Sequence, residues 1–448
     1  MLFNLFNARR TLLVLSMLSP AVCLAQQTQN LTLDNALLMA HDHSYKLHAD
    51  STQIEIVGSR ASQAVIGALP ELMVNSTFQR LSNNISPFII QLPAGSFAIN
   101  PQILNQSYNA LQLRQLLFAG GKINNTVKAL KKETEASRAD YHAGSLALDK
   151  QIIDLWFNLY NVKASEKIVT ANIEALKSSR NDLEKLRLQG IVLENDVRKV
   201  DLSIITLLAN LADFTALSGT LNYNLCLAMG IDPLTIILIP DTYIQAVNEV
   251  KALSEYSNAA IDLRPELRSL KLRAEAASFM TRATKANYLP AISIIGSYNY
   301  DRPNQRIIPN VNAFNYSALA GLNLSWKISA LYTNQHQVNE RKSIARQLDY
   351  TALQEKEEIL KEVNSLYLEY KKSKEKLILN ESEVLQAAEN YRVEGNKLNA
   401  QTTTPTDFLI ANTSLLQAQL NLATAKANAT LAYKKLMLST GTIQNSKN

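Results

Sequence analysis

The chain has 448 residues, 47% of them hydrophobic, and its 45 basic residues against 39 acidic ones leave a net charge of +6. The charges alternate in sign along runs such as 128–138 and 355–376, a pattern of solvated helix faces that excludes a nucleic-acid-binding surface. With only Cys23 and Cys226 there is no disulfide framework.

Residues 1–25 join Arg9 and Arg10 to a short apolar run and small residues ending at Ala25, the layout of an export signal with cleavage expected before Gln26. Cys23 invites a lipoprotein reading, against which Val22 stands where a small residue is wanted; the alternative is ordinary cleavage that discards Cys23. Loss of Arg9 and Arg10 lowers the net charge from +6 to +4. Cys226 is then the only cysteine left, and its setting between Leu225 and Leu227 is that of a buried small hydrophobe. Downstream, no run of about 20 uncharged apolar residues is apparent, which argues against a helical membrane protein.

Residues 31–68 read as one proline-free helix opened by Leu31-Thr32-Leu33-Asp34. A shift of 220 residues lays it on the stretch up to Leu289, matching Leu47 to Leu267 and Pro70 to Pro290, with a fresh helix start expected at Arg264-Pro265. After each proline the period changes from 3.6 to 2. In 291–301 Ile292, Ile294, Tyr298 and Tyr300 alternate with small or polar residues, and in 314–329 Phe314, Tyr316, Leu322, Leu324, Trp326 and Ile328 do the same. Aromatic residues at both ends of an apolar strand face fit a transmembrane β-barrel, with Tyr298, Tyr300, Phe314, Tyr316 and Trp326 as candidate membrane-interface residues; a soluble β-sandwich edge is the alternative. The weaker first-repeat counterparts are 71–81 and 106–118, and the loop between them is nine residues longer than its partner, as suits an outer surface loop. Four strands cannot close a membrane barrel, because small ones have about eight, so other chains must supply the rest.

The stretch 122–189 contains no proline and one glycine, Gly144, and predicts a helix on the order of 100 Å long. It folds back at Gly190 into a helix half that length, 194–229, and a shift of 211 residues repeats the arrangement in 332–400 and 406–438. Each tip carries an aspartate six residues on, Asp196 after Gly190 and Asp407 after Gln401, read as helix N-caps. One long helix beside two stacked short ones, with polar residues on two faces, predicts the wall of a water-filled α-barrel. The expected organisation is a signal at 1–25, a first repeat at 26–230, a linker at 231–252 that forms a small belt, a second repeat at 253–441 and a tail at 442–448.

Three motifs carry a family resemblance: Leu31-Thr32-Leu33-Asp34-Asn35-Ala36-Leu37, Leu113-Arg114-Gln115-Leu116-Leu117-Phe118-Ala119-Gly120-Gly121, and Thr406-Asp407-Phe408-Leu409-Ile410-Ala411. In this order and spacing the chain resembles the TolC-like outer membrane efflux family over its whole mature length. The resemblance implies a mainly α fold with a membrane β-barrel portion: a homotrimer whose twelve-stranded barrel continues into a twelve-helix tunnel through the periplasm. It also implies a periplasmic adaptor protein and an inner-membrane pump as partners, outer membrane lipid around the strands, and an acidic ring at the tunnel mouth from Asp407. Gln401 stands where the second tip usually has glycine, and Ile410 stands where a second acidic ring would be.

No catalytic constellation, cofactor motif or nucleotide loop stands out. His41, His43 and His48 could be considered for metal, but positions two apart diverge on a helix and solvated surface is the plainer reading. The candidate periplasmic mouth is Gly190, Asp196, Gln401, Thr404 and Asp407. Two functions remain, an exit duct for small molecules or unfolded polypeptide in a multidrug efflux or type I secretion system, and a coiled-coil envelope spacer or adhesin without a lumen.

Overall fold

The computed structural model describes residues 28–84, 86–100, 102–240 and 249–441. The expected signal with Cys23, residues 241–248 of the linker and the tail at 442–448 lie outside the described residues. In chain order the elements are β1 (Thr28–Asn30), α1 (Leu33–His43), α2 (Tyr45–Ile66), β2 (Glu71–Arg80), β3 (Phe88–Leu92), β4 (Gly95–Asn100), β5 (Asn105–Phe118), α3 (Lys122–Leu188) and α4 (Glu194–Met229). There follow β6 (Ile236–Leu238), α5 (Leu253–Leu263), α6 (Pro265–Lys285), β7 (Ala291–Asp301), β8 (Asn315–Ser325), α7 (Ala330–Asn399) and α8 (Pro405–Ser439). They divide into two compact units, one of Met1–Ser44, Ala147–Lys251 and Ser365–Leu438, the other of Tyr45–Leu146, Ala252–Asn364 and Ser439–Asn448. Each unit therefore draws on both sequence repeats.

The second unit holds an antiparallel sheet of order β2-β5-β7-β8. Register decides its faces. Tyr300 lies opposite Tyr316 and Leu322 opposite Ile294, Tyr298 opposite Leu111, and Val74 opposite Leu111. Opposed residues share a face, so the even residues of β2, β7 and β8 and the odd residues of β5 make one apolar surface. Its members are open: Val74 is 75% exposed, Phe78 74%, Leu322 73% and Leu324 65%. The other face carries Asn75, Gln112, Ser297, Asn299, Ser317 and Asn323. A two-faced sheet is what the alternation predicts.

Several expectations need correction. The first helix breaks at Ser44, whose extended backbone (φ −62, ψ 105) matches that of Arg264 (φ −65, ψ 121) 220 residues on. Pro265 forces the second break by barring Arg264 from the helical region, whereas nothing in the local sequence announces the first. The long outer loop is not wholly irregular, since β3 and β4 pair in it as a hairpin. At the other end of the sheet, β8 stops at Ser325, so Trp326 and Ile328 are not strand residues. There Lys327 and Ile328 turn their carbonyls to the amides of Ala330 and Leu331 to start α7, and Trp326 Nε1 donates to the carbonyl of Tyr288 at 3.1 Å. Phe314 falls just before β8 and stacks on Tyr300 at 5.1 Å. In this unit a Cβ on Gly144 would stand 2.8 Å from Asp50 Oδ2, so the lone glycine of α3 marks its close approach to α2.

The first unit is helical apart from β1 and β6, a parallel pair that gives the linker its strand. Its core joins Val169, Ile173, Leu176 and Leu183 of α3 to Val197, Val200, Ile204 and Leu207 of α4 and to Leu416 of α8. Full burial of such side chains is worth roughly 1.5–3 kcal/mol each. Within it Asn172 and Asn412 exchange both amide bonds, at 3.1 and 3.2 Å, which satisfies two buried polar groups and fixes the register of α3 against α8. Cys226 is buried, with Sγ 3.4 Å from the carbonyl of Thr235, and burial pushes its thiol up to about 11.

α4 also has a long apolar stretch. It contains an 18-residue window of mean hydropathy 1.5, apolar enough by length and composition to cross a membrane, of which 11% is buried. Leu202 and Ile205 are each more than 60% exposed. Asp213 interrupts the stretch, so it is not the uncharged run of about 20 residues sought in the sequence.

Candidate functional site: the two hairpin tips

Both tips lie in the first unit and are built alike. At the end of α3, Gly190 takes φ +77 and the amide of Ile191 donates to the carbonyl of Leu186 at 3.0 Å. At the end of α7, Gln401 takes φ +60 and the amide of Thr402 donates to the carbonyl of Lys397 at 2.9 Å. This is one helix-terminating turn used twice, with a left-handed residue just past the end. Gln401 is the only non-glycine residue with positive φ among the described residues. A left-handed L-residue costs about 1–2 kcal/mol, partly offset because glycine gains freedom in the unfolded chain. Gln401→Gly is therefore expected to raise the melting temperature, and Gly190→Ala to lower it. A Cβ at Gly190 meets nothing within 4 Å, so thermal unfolding of the pair isolates the backbone term. Equal shifts of the same sign would contradict this account.

The tips part company at the next helix. Asp196 and Asp407 are not N-caps; each is the third residue of its helix, three positions past the cap. α4 starts after Leu193, which has no side-chain cap bond, and Asp196 instead pairs with Lys199 at 3.1 Å. α8 starts after Thr404, whose Oγ1 accepts the amide of Asp407 at 3.2 Å while Asp407 Oδ2 accepts the Thr404 hydroxyl at 2.6 Å and faces the Thr404 amide at 3.4 Å. That is a reciprocal capping box, a threonine cap with an acid three residues on.

The sequence reading missed Glu394. Its Oε2 accepts the hydroxyl of Thr403 at 2.9 Å, and its Oε1 pairs with Lys397 at 2.8 Å. The same Thr403 hydroxyl lies 3.3 Å from Asp407 Oδ2, so one hydroxyl bridges two carboxylates across the tip. The Thr404 hydroxyl and amide hold the Asp407 carboxyl below its usual range, and Lys397 and Thr403 do the same for Glu394. A lone acid inside a charged helix gave no signal in the sequence.

At the first tip the acids are neutralised locally. Glu184 pairs with Arg187 at 2.7 Å, Glu194 with Arg198 at 2.6 Å and Asp182 with Lys185 at 2.8 Å. Asp407, by contrast, has hydroxyl and amide donors but no ion pair among the described residues. A bond from Lys199 Nζ to Thr406 Oγ1, 2.9 Å long, ties the start of α4 to the start of α8. Ile410 is 60% exposed. Of the candidate mouth residues, the structure joins Thr404 and Asp407 in one capping box, with Gln401 terminating the helix before them; Gly190 and Asp196 serve the first tip.

Two histidines considered for metal have protein contacts. His41 Nε2 lies 2.6 Å from Asp149 Oδ1, a pair between α1 and α3. The ring of His43 lies against Gly230.

By sequence, residues 256–442 match the family described as "Outer membrane efflux protein". No curated protein matches the chain. Solved structures do. The outer-membrane channel OprN superposes with a TM-score of 0.74 at 18% identity, over 91% of this chain and 89% of its own. The outer membrane protein VceC from Vibrio cholerae does so with a TM-score of 0.74 at 17% identity, over 91% and 96%. CusC, described with transmembrane channel formation, gives 0.76 at 14% identity, over 92% and 93%.

Proposed function

We infer that this chain, which carries an outer membrane efflux protein domain in its second repeat on the fold of an outer-membrane channel, is the exit duct of a tripartite efflux or type I secretion system. The observation that carries the reading is the four-stranded sheet, whose apolar face is exposed and whose outer strands β2 and β8 each have one unpaired edge. Unpaired backbone in hydrocarbon costs several kcal/mol per group, so the sheet must close with copies of itself. Three copies of four strands make a twelve-stranded barrel around the polar face. The exposed apolar side of α4 is then covered by neighbouring subunits rather than by lipid.

α3 starts four residues after β5 and α7 five residues after β8, and each runs without a break to a tip. In the assembled duct the tips form the periplasmic mouth, where an adaptor and an inner-membrane pump engage it. Transport energy comes from that pump, and small toxic molecules or unfolded polypeptides are the cargo. Three copies of Asp407 give the mouth a negative potential that favours cations and that salt screens over roughly 10 Å at 0.1 M.

Planar-bilayer recording of the purified protein tests both levels. A cation-preferring conductance is expected at low salt, weakened by Asp407→Asn, which keeps the side-chain size while removing the charge. Because the folded-state pKa of Asp407 is lowered, its charge and its contribution to the cap are complete above the unfolded value and are lost only as pH falls through the depressed folded value. The preference should thus hold from neutral pH down to the ordinary carboxylate range. Absence of any conductance would favour a lumenless spacer or adhesin, and unchanged selectivity in the Asn variant would leave Asp407 a capping residue only.

A further inference from the structure

The end of the sheet remote from the helices carries an unusual balance of charge. The outer loops, residues 81–104 and 302–314, contain no aspartate or glutamate. Arg80 closes β2 and Arg302 follows β7, while Arg306 lies in the second loop. Among the described residues neither Arg80 nor Arg306 forms an ion pair. The acid next in sequence, Asp301, belongs by alternation to the polar face and accepts the amide of Asn109 at 3.0 Å.

Register places two of these arginines on the same side. Arg80 lies opposite Asn105, and Arg302 bridges Ser107 two residues further along the same strand. Opposed and alternate residues share a face, so Arg80 and Arg302 flank β5 on the apolar face, two inter-strand spacings across and two residues along, or about 12 Å apart. Just beneath them on that face stand Phe78, Tyr298, Tyr300 and Tyr316. Arg302 is also held in place, its Nε donating to Asn312 Oδ1 at 2.9 Å and its guanidinium lying 5.9 Å from the centre of the Phe314 ring. Arg306 adjoins Ile307 and Ile308, 37% and 75% exposed. Cations immediately outside an aromatic rim, on the lipid side, beside open aliphatic groups, are complementary to an anionic amphiphile whose chains run down the strands.

We propose that Arg80, Arg302 and Arg306 bind the phosphate groups of an anionic glycolipid in the outer leaflet, so that the barrel carries a bound ring of it. Resting on the outer-membrane reading above, the proposal adds a ligand that the duct activity does not require. A guanidinium matches phosphate with two parallel hydrogen bonds, which a lysine cannot reproduce but whose charge it can replace.

The test titrates the purified oligomer in detergent with lipid A, a bisphosphorylated glycolipid, and counts bound molecules by native mass spectrometry. Wild type should bind the bisphosphorylated form in preference to its dephosphorylated counterpart, and inorganic phosphate should not displace it. Arg80→Gln with Arg306→Gln should weaken binding by roughly tenfold or more, in keeping with the attraction of two interfacial cations, while the corresponding Lys pair should lose less. Arg306→Gln alone, in a loop, provides a variant that does not touch the strands. Conductance of each variant reads channel assembly separately. Normal conductance with undiminished lipid binding in the Gln pair, equal binding of the dephosphorylated lipid, or displacement by inorganic phosphate would overturn the proposal without touching the duct.

Discussion

Leu322→Arg is expected to block assembly in the outer membrane, whereas Asn323→Arg, one residue along the same strand, is expected to be tolerated. Leu322 is 73% exposed on the apolar face of β8, opposite Ile294. An arginine on the lipid side of a barrel costs about 2–4 kcal/mol at the bilayer midplane, and in a trimer that cost is incurred three times. The sum rivals the whole stability of an ordinary domain, about 5–15 kcal/mol. Asn323 lies opposite Ser293 on the polar face, where an added guanidinium stays in water. The measurement is the yield of heat-modifiable oligomer in isolated outer membranes. Normal assembly of Leu322→Arg, or greater damage from Asn323→Arg, would mean that the two faces have been exchanged.

What the sequence disclosed and what it hid follow from the range of the interactions involved. Strand faces were legible because alternation is a local property of neighbouring side chains, and Tyr298, Tyr300, Leu322 and Leu324 share the face that the pattern assigned. The tips were legible because a helix-ending turn repeated at a shift of 211 residues leaves a mark at both Gly190 and Gln401. The end of β8 was not, since Trp326 and Ile328 continue the alternation in sequence after the backbone has begun to turn into α7. Nor was the break at Ser44, where no proline enforces what Pro265 enforces in the second repeat. The capping arrangement was half read. Asp407 was recognised as a helix-start residue, but whether the cap is Thr404 or Asp407 depends on which residue leaves the helical region, and that is set by the turn before it. Glu394 is linked to Asp407 through the hydroxyl of Thr403, nine residues away across the turn, a contact that no local pattern encodes.

Gly230→Ala should be among the most damaging single substitutions in the first unit, and its repeat partner Gly441→Ala clearly milder. The two glycines end α4 and α8 in the same left-handed conformation, at φ +71 and +75. An alanine there carries a backbone cost of about 1–2 kcal/mol in either case. The neighbours differ. A Cβ at Gly230 would come within 2.2 Å of Cγ and Nδ1 of His43, the last residue of α1, whereas one at Gly441 would stand 3.1 Å from Cβ of Leu263, the last residue of α5. The first distance cannot exist, so either the histidine ring or the end of α1 must move. Because α1 is also pinned to α3 by the His41 and Asp149 pair, displacement of His43 strains that contact as well. Thermal unfolding of the assembled protein should therefore show a larger loss for Gly230→Ala than for Gly441→Ala. Adding His43→Ala to Gly230→Ala removes the obstructing ring but leaves the left-handed backbone. The double variant should then recover part of the loss, down to about the penalty seen at Gly441, and the shortfall from additivity measures the clash. Strict additivity of His43→Ala and Gly230→Ala would show that the ring does not oppose the new methyl group, and the cost at Gly230 would then belong to the backbone alone.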